Sequence, residues 1–267
     1  MRVADIRALA GEARHLGFAL RDEVAGTDAG PLVVSGVLAE QLAKELGAAS
    51  APGAVVVGTG TAPANAEVRV HVIAGDPTAE DESLVGGSAA LGVEVVLVEL
   101  WPQADWTRPF VLSPFVVECR AGEGFPIREI ADRIAQATEN GAALASKVPV
   151  LVESVRSGLV KQAVIRSALI GLAGSRLGTS RPLLVREQAR MVSRLRAVSS
   201  GPAVSDELPA LAGGAAAMLA SGFALRGIAR SARTILPAPL AHAAVAAAGT
   251  WAFAKALQAL EPRLPST

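Results

Sequence analysis

Along the chain the apolar residues change rhythm once, near Pro149. Between residues 32 and 119 they come in short, nearly unbroken β-branched runs separated by glycine, aspartate and polar stretches. Leu32–Val34, Ala54–Val57, VRVHVIA from Val68, VEVVLVEL from Val93 and PFVVEC ending at Cys119 each read as a strand. Runs of this kind suit strands covered on both faces, as in a parallel sheet. Helical patterns lie between them: GVLAEQLAKELG stopped by Gly47, then DPTAEDESLVGGSAALG, then FPIREIADRI. The alternation predicts βα units, with the strands near 55, 70, 96 and 117 in one predominantly parallel sheet. From Pro149 onward strand signals stop and helical spacing takes over. VLVESVRSGLVKQAVIRSALIGLAG, PLLVREQARMVSRLRAV, LPALAGGAAAMLASGFALRGIARSAR and PLAHAAVAAAGTWAFAKALQAL predict four helices with Gly/Pro/Ser breaks, a bundle or two hairpins. Residues 2–24 add a mixed-charge amphipathic helix rather than a basic-plus-apolar leader. The expected fold class is α/β, a three-layer mostly parallel sheet over 1–147, followed by an all-α domain over 148–262.

Composition changes this picture little, but charge sharpens it. The 267 residues are 51% hydrophobic and only 3% aromatic, with no tyrosine, so alanine, valine and leucine supply the core. A single cysteine, Cys119, excludes an internal disulfide and fits a reducing compartment. The net charge of zero conceals a polarity. Residues 1–150 carry 11 Lys/Arg against 20 Asp/Glu, whereas 151–267 carry 14 against 5. Either two domains of opposite sign attract one another, or the basic half faces an anionic surface. Nucleic acid is the weaker partner, because the arginines are spread along helix faces without interleaved aromatics. Snorkelling arginines over an apolar bundle produce the same pattern. Residues 209–225 and 234–254 are uncharged, and a membrane span needs about 20 predominantly apolar residues. Alanine and glycine insert weakly, and Pro237, Pro239 and His242 interrupt the second stretch, so a buried hairpin is preferred to two spans. Peripheral attachment through the arginine face would suit anionic lipid at the inner side of the cell membrane.

Two segments resemble known families. VRVHVIAGDPTAEDESLVGGSAALGVEVVLVELWPQAD is similar to Era/Der-type GTPases from their fourth strand to the guanine-specificity motif Asn-Lys-x-Asp. Pro102, Gln103, Ala104 and Asp105 occupy that motif, so only the aspartate is kept. VVECRAGEGFPIREI resembles the last strand and the Ser-Ala-x-x-Gly-x-Gly turn, with Glu118 and Cys119 replacing Ser-Ala and Gly122, Glu123 and Gly124 in register. Upstream the likeness fails. A phosphate loop needs Gly-x4-Gly-Lys-Ser/Thr, its glycines for close backbone approach and its lysine for the phosphates. Ser35-Gly36 stands there instead, and neither lysine of the first half, Lys44 or Lys147, follows a glycine. The resemblance therefore implies a pseudo-GTPase. RPLLVREQARMVSRL, AMLASGFALRGIAR and AAVAAAGTWAFAKAL resemble the uncharacterised helical domain found C-terminal to bacterial G domains. That likeness implies company with GTPase-like modules and membranes, without a defined chemistry.

Individual residues carry little independent chemistry. The acids of Asp76-Pro77-Thr78-Ala79-Glu80-Asp81-Glu82 read as a helix start, with Pro in the first turn and a capping box at Thr78-x-x-Asp81, rather than as metal ligands. Asp105 would bond a purine by the resemblance, or cap a helix; Trp101 and Trp106 bracket it as a local anchor or as core. Cys119 and His71 read as core residues and His242 as a helix-packing residue, while His15 has no evident partner. No Ser-His-Asp or Cys-His arrangement follows from spacing. Ser35, Asp105, Gly122 and Gly124 are the candidate nucleotide contacts, with no cofactor and no metal expected. The expected function is a non-enzymatic scaffold that binds a protein partner or itself, the alternative being a residual GTP/GDP switch.

Overall fold

The computed structural model describes residues 29–60, 63, 65–102, 113–177, 180–200 and 237–260. In chain order the elements are β1 (Leu32–Gly36), α1 (Ala39–Leu46), β2 (Val55–Val57), β3 (Val68–Ala74), α2 (Ala79–Ala90), β4 (Glu94–Leu100), β5 (Phe115–Cys119), α3 (Ile127–Ala137), α4 (Gly141–Lys147), a 3-10 turn (Pro149–Leu151), α5 (Val152–Leu177), α6 (Ser180–Ser200) and α7 (Ala238–Leu260). Among the described residues, 29–158 with 197–200 form one compact unit, and 159–196 with 237–260 form a second.

The first unit is an α/β structure. Its five strands form one sheet in the order β2-β1-β3-β4-β5, and every pairing is parallel. This is one of the common doubly wound orders, whose strand sequence reverses between β1 and β3. In β3 every residue from Val68 to Ile73 is buried, and β4 is buried from Val95 to Leu100. Both faces of the central strands are thus closed to water, which is why their sequences are continuous apolar runs.

The helices follow from spacing and caps. α1 turns Ala39, Leu42 and Leu46 inward and ends at Gly47, whose N–H donates to the Ala43 carbonyl. α3 buries Ile130, Ala131, Ile134 and Ala137 against β4 and β5 while Arg128, Glu129 and Asp132 stay outside. Each buried isoleucine there contributes about 1.5–3 kcal/mol relative to exposure. α2 begins with the expected capping box: Asp81 N–H donates to Thr78 Oγ1, and Thr78 N–H donates to Asp81 Oδ2. Because Thr78 is the cap, Pro77 precedes the helix instead of occupying its first turn. At the amino edge of the sheet, Lys147 Nζ donates to the Ala29 carbonyl at 2.7 Å. The Glu67 carboxylate there accepts from the Thr138 hydroxyl and the Asn140 N–H.

The second unit is helical. Val160 and Ala163 from α5, Met191, Val192 and Leu195 from α6, and Phe253 and Ala254 from α7 make its core. Gly171 lets α5 approach α7 closely, since a Cβ there would come within 2.7 Å of the His242 carbonyl oxygen. Nearby, the buried Thr250 hydroxyl donates to Ser167 Oγ at 2.9 Å. The expected N-terminal helix and the apolar stretch 209–225 lie outside the described residues. Among the described residues no helix is long and apolar enough to cross a membrane.

Candidate functional site

Ser35, one residue before the end of β1, lies directly opposite His71 of β3, and this register builds a buried polar chain. Ser35 Oγ lies 3.0 Å from His71 Nδ1, and His71 Nε2 lies 2.8 Å from Asp81 Oδ1. Asp81 Oδ2 accepts from the Thr78 hydroxyl at 2.7 Å as well as from the Thr78 N–H. Burial alone would raise the Asp81 carboxyl, but the two Thr78 hydrogen bonds and His71 outweigh it and hold its pKa below the usual value. An ionised carboxylate only accepts, so Nε2 must donate to it; a neutral imidazole then leaves Nδ1 to accept from the Ser35 hydroxyl. The chain runs from β1 through β3 to the first turn of α2.

Serine, histidine and aspartate in this order have the elements of a nucleophilic relay. Access decides otherwise. Ser35 is 1% exposed and His71 2%, so the hydroxyl has no room to meet a substrate. The network instead fixes where α2 starts on the sheet. Sequence spacing could not reveal it, because 36 residues separate Ser35 from His71 and only parallel register makes them neighbours. The signal that was present is a polar pair, Ser35 and His71, each inside an apolar strand run.

In doubly wound sheets, ligands enter at the carboxyl edge where the strand order reverses. Here the β1–β3 ladder runs on to that edge. The Val37 N–H donates to the Val72 carbonyl at 2.9 Å. Gly36 has φ +91, and a Cβ on it would stand 2.0 Å from the Val72 oxygen. Only Val37 and Leu38 connect β1 to α1; Leu38 takes φ 56 and provides no side-chain cap. The turn is too short to wrap a phosphate.

The other predicted residues are dispersed. Gly122, at φ +83, lies in the β5–α3 turn, where Glu123 N–H donates to the Arg120 carbonyl. Gly124 accepts from Cys119 Sγ at 3.4 Å through its carbonyl oxygen. The Cys119 thiol is buried, and burial, with Glu123 and Glu45 nearby, pushes its pKa up, away from a reactive thiolate. Ser35 on β1 is three strand spacings from β5, about 14 Å, so one small group cannot touch both. Asp105 and Trp106 lie outside the described residues, as does His15. Trp101 is 52% exposed in a left-handed conformation at the end of β4, tied by its N–H to the Cys119 carbonyl. His242 is half-buried in α7. Among the described residues no group of His, Cys, Asp or Glu is arranged to hold a metal ion.

In the helical unit, α5 presents an unusual outer face. Ile165 and Leu169 are each 60% exposed, and Leu172 follows one turn on. The spacing i, i+4, i+7 puts all three on one side. Lys161 and Arg166 are exposed beside them, and Arg166 Nη1 pairs with Glu187 Oε1 of α6 at 3.3 Å. Comparison with models of protein families, with curated proteins and with solved structures gives no match.

Proposed function

We propose that this chain is a non-enzymatic interaction protein, in which a three-layer, degenerate GTPase-like α/β part accompanies a helical part that docks on the cytoplasmic face of a membrane. The observation that carries the reading is the outer face of α5. Three large aliphatic side chains point to water there, flanked by Lys161 and by Arg166, which is held by Glu187 of α6, and by no exposed carboxylate on that stretch of helix. Apolar side chains beside basic ones match the boundary of an anionic bilayer, where the aliphatics enter the acyl region and the cations meet headgroups. The two-residue turn after β1 and the missing lysine argue against GTP turnover, and they weigh equally against the reading as a GTP/GDP switch.

Liposome flotation tests the proposal. The full chain should float with anionic vesicles, and Ile165→Ser with Leu169→Ser should abolish flotation. Both positions are solvent-exposed, so the melting temperature should stay within a few degrees. Equal flotation of this double variant and the parent chain would sink the proposal, as would failure of the parent chain to float.

A further inference from the structure

The sheet contains a cation that the reading above does not use. Arg69 lies in β3, the middle strand, and is 0% exposed. Its Nη2 donates to the Gly60 carbonyl at 2.6 Å, while Nε and Nη1 are buried with no hydrogen-bond partner among the described residues. Burial lowers its pKa, yet a guanidinium holds its proton under any ordinary condition, so the charge persists inside the sheet unit. Buried charges are normally paired, and unsatisfied donors on one call for a missing partner.

The surroundings show from which side that partner comes. The crossover from β2 to β3 starts at Gly58, and Gly58 and Gly60 carry it past the guanidinium. Gly58 passes so close over β1 that a Cβ would fall 2.7 Å from Val33 Cγ1, while its distance to Arg69 Nη2 would be 4.0 Å. Gly60 is the opposite case: it is exposed, and among the described residues nothing lies within 4 Å of where its Cβ would stand. Thr59 between them is exposed with its hydroxyl. The one carbonyl that Arg69 reaches therefore belongs to a surface glycine beside open space.

We propose that Arg69 and the Gly58–Gly60 crossover form a binding site for a small phosphate-type oxyanion. The guanidinium supplies the charge and N–H donors, the glycines allow close approach of backbone, and Thr59 adds a hydroxyl at the rim. The site is separate from the two-residue turn after β1 and from the outer face of α5, so it stands or falls independently of membrane docking.

The probe is inorganic phosphate, titrated against chloride at constant ionic strength and followed both by melting temperature and by phosphorus NMR of the full chain. The expected result is a saturable rise in melting temperature with one phosphate bound per chain. Arg69→Met, which keeps length without charge, should lose the phosphate response while melting at or above the parent chain in chloride. Gly60→Val, placed in open space, should keep the fold and weaken phosphate binding at least tenfold. It keeps the test decisive if Arg69→Met does not fold. No saturable phosphate effect on the parent chain overturns the site. So does an unchanged phosphate response in Gly60→Val or in folded Arg69→Met.

Discussion

The two units solve the same problem, a chain rich in small aliphatics, in opposite ways. In the central strands of the α/β unit the large side chains go inside and polar residues are carried in with them: Ser35, Arg69, His71 and Glu99 are all buried there. In the helical unit a close contact between described helices uses small groups, Gly171 against α7 and Ser167 against Thr250, while Ile165, Leu169 and Leu172 are left outside. Strand geometry explains the first. A central parallel strand has no wet face, so a polar residue in it is cut off from bulk water and depends on whatever partners the fold brings to it. Helix geometry explains the second. Small residues let two helices approach until backbone meets side chain, and the larger residues of the same helix are displaced to its far side.

The largest expected effect probes the rigid side of this contrast. Gly36→Ala puts a Cβ against a sheet carbonyl at a φ that alanine avoids, and neither β1 nor β3 can move without breaking the ladder. A loss of more than about 3 kcal/mol is expected by urea denaturation, with faster hydrogen exchange in β1 and β3. The matching change in the helical unit is Gly171→Ala, which also meets a backbone oxygen, that of His242. Helices can slide by a few tenths of an ångström, and alanine favours the helix, so a net loss of about 1–2 kcal/mol is expected. Equal losses for the two variants would show that the helical unit is as unyielding as the sheet, and the contrast would fail.

The smallest effect tests whether the buried polar chain is a structural pin. Asp81→Asn keeps the shape of the side chain but removes the charge that Thr78 and His71 address, and should cost about 1 kcal/mol at neutral pH. The folded carboxyl lies below its unfolded value of about 3.9, so its contribution is complete above that pH and disappears as pH falls through the folded value. Urea midpoints of parent and variant should therefore differ at pH 7 and converge in the range below about pH 4. A gap that persists unchanged at pH 3 would assign the effect to packing rather than charge.

Much of the architecture was legible in sequence. The continuous runs around Val70 and Val96 required strands without a wet face, and all strand pairs are parallel. Gly47 and Thr78-x-x-Asp81 marked a helix end and a helix start correctly, because caps depend on residues close in the chain. The candidate site was less legible. Spacing places Ser35 at a strand-to-helix turn as a candidate nucleotide contact; that its hydroxyl is buried against His71 is visible only in the structure. Gly36 beside it stands where a phosphate loop would be, and its φ of +91 and tight approach to the Val72 backbone are set by the neighbouring strand.

What the sequence by itself determined is therefore everything set by local spacing: strand runs, helix faces, caps, and the sign of charge in each half. Tertiary structure alone decided which polar residues meet. The register between β1 and β3 pairs Ser35 with His71, the crossover after β2 brings Gly60 to Arg69, and packing around Gly171 turns Ile165 and Leu169 to water. The reason is physical: periodicity states which face of an element is apolar, but a hydrogen bond depends on register across tens of residues, and a shift of one residue would send each of these strand side chains to the opposite face.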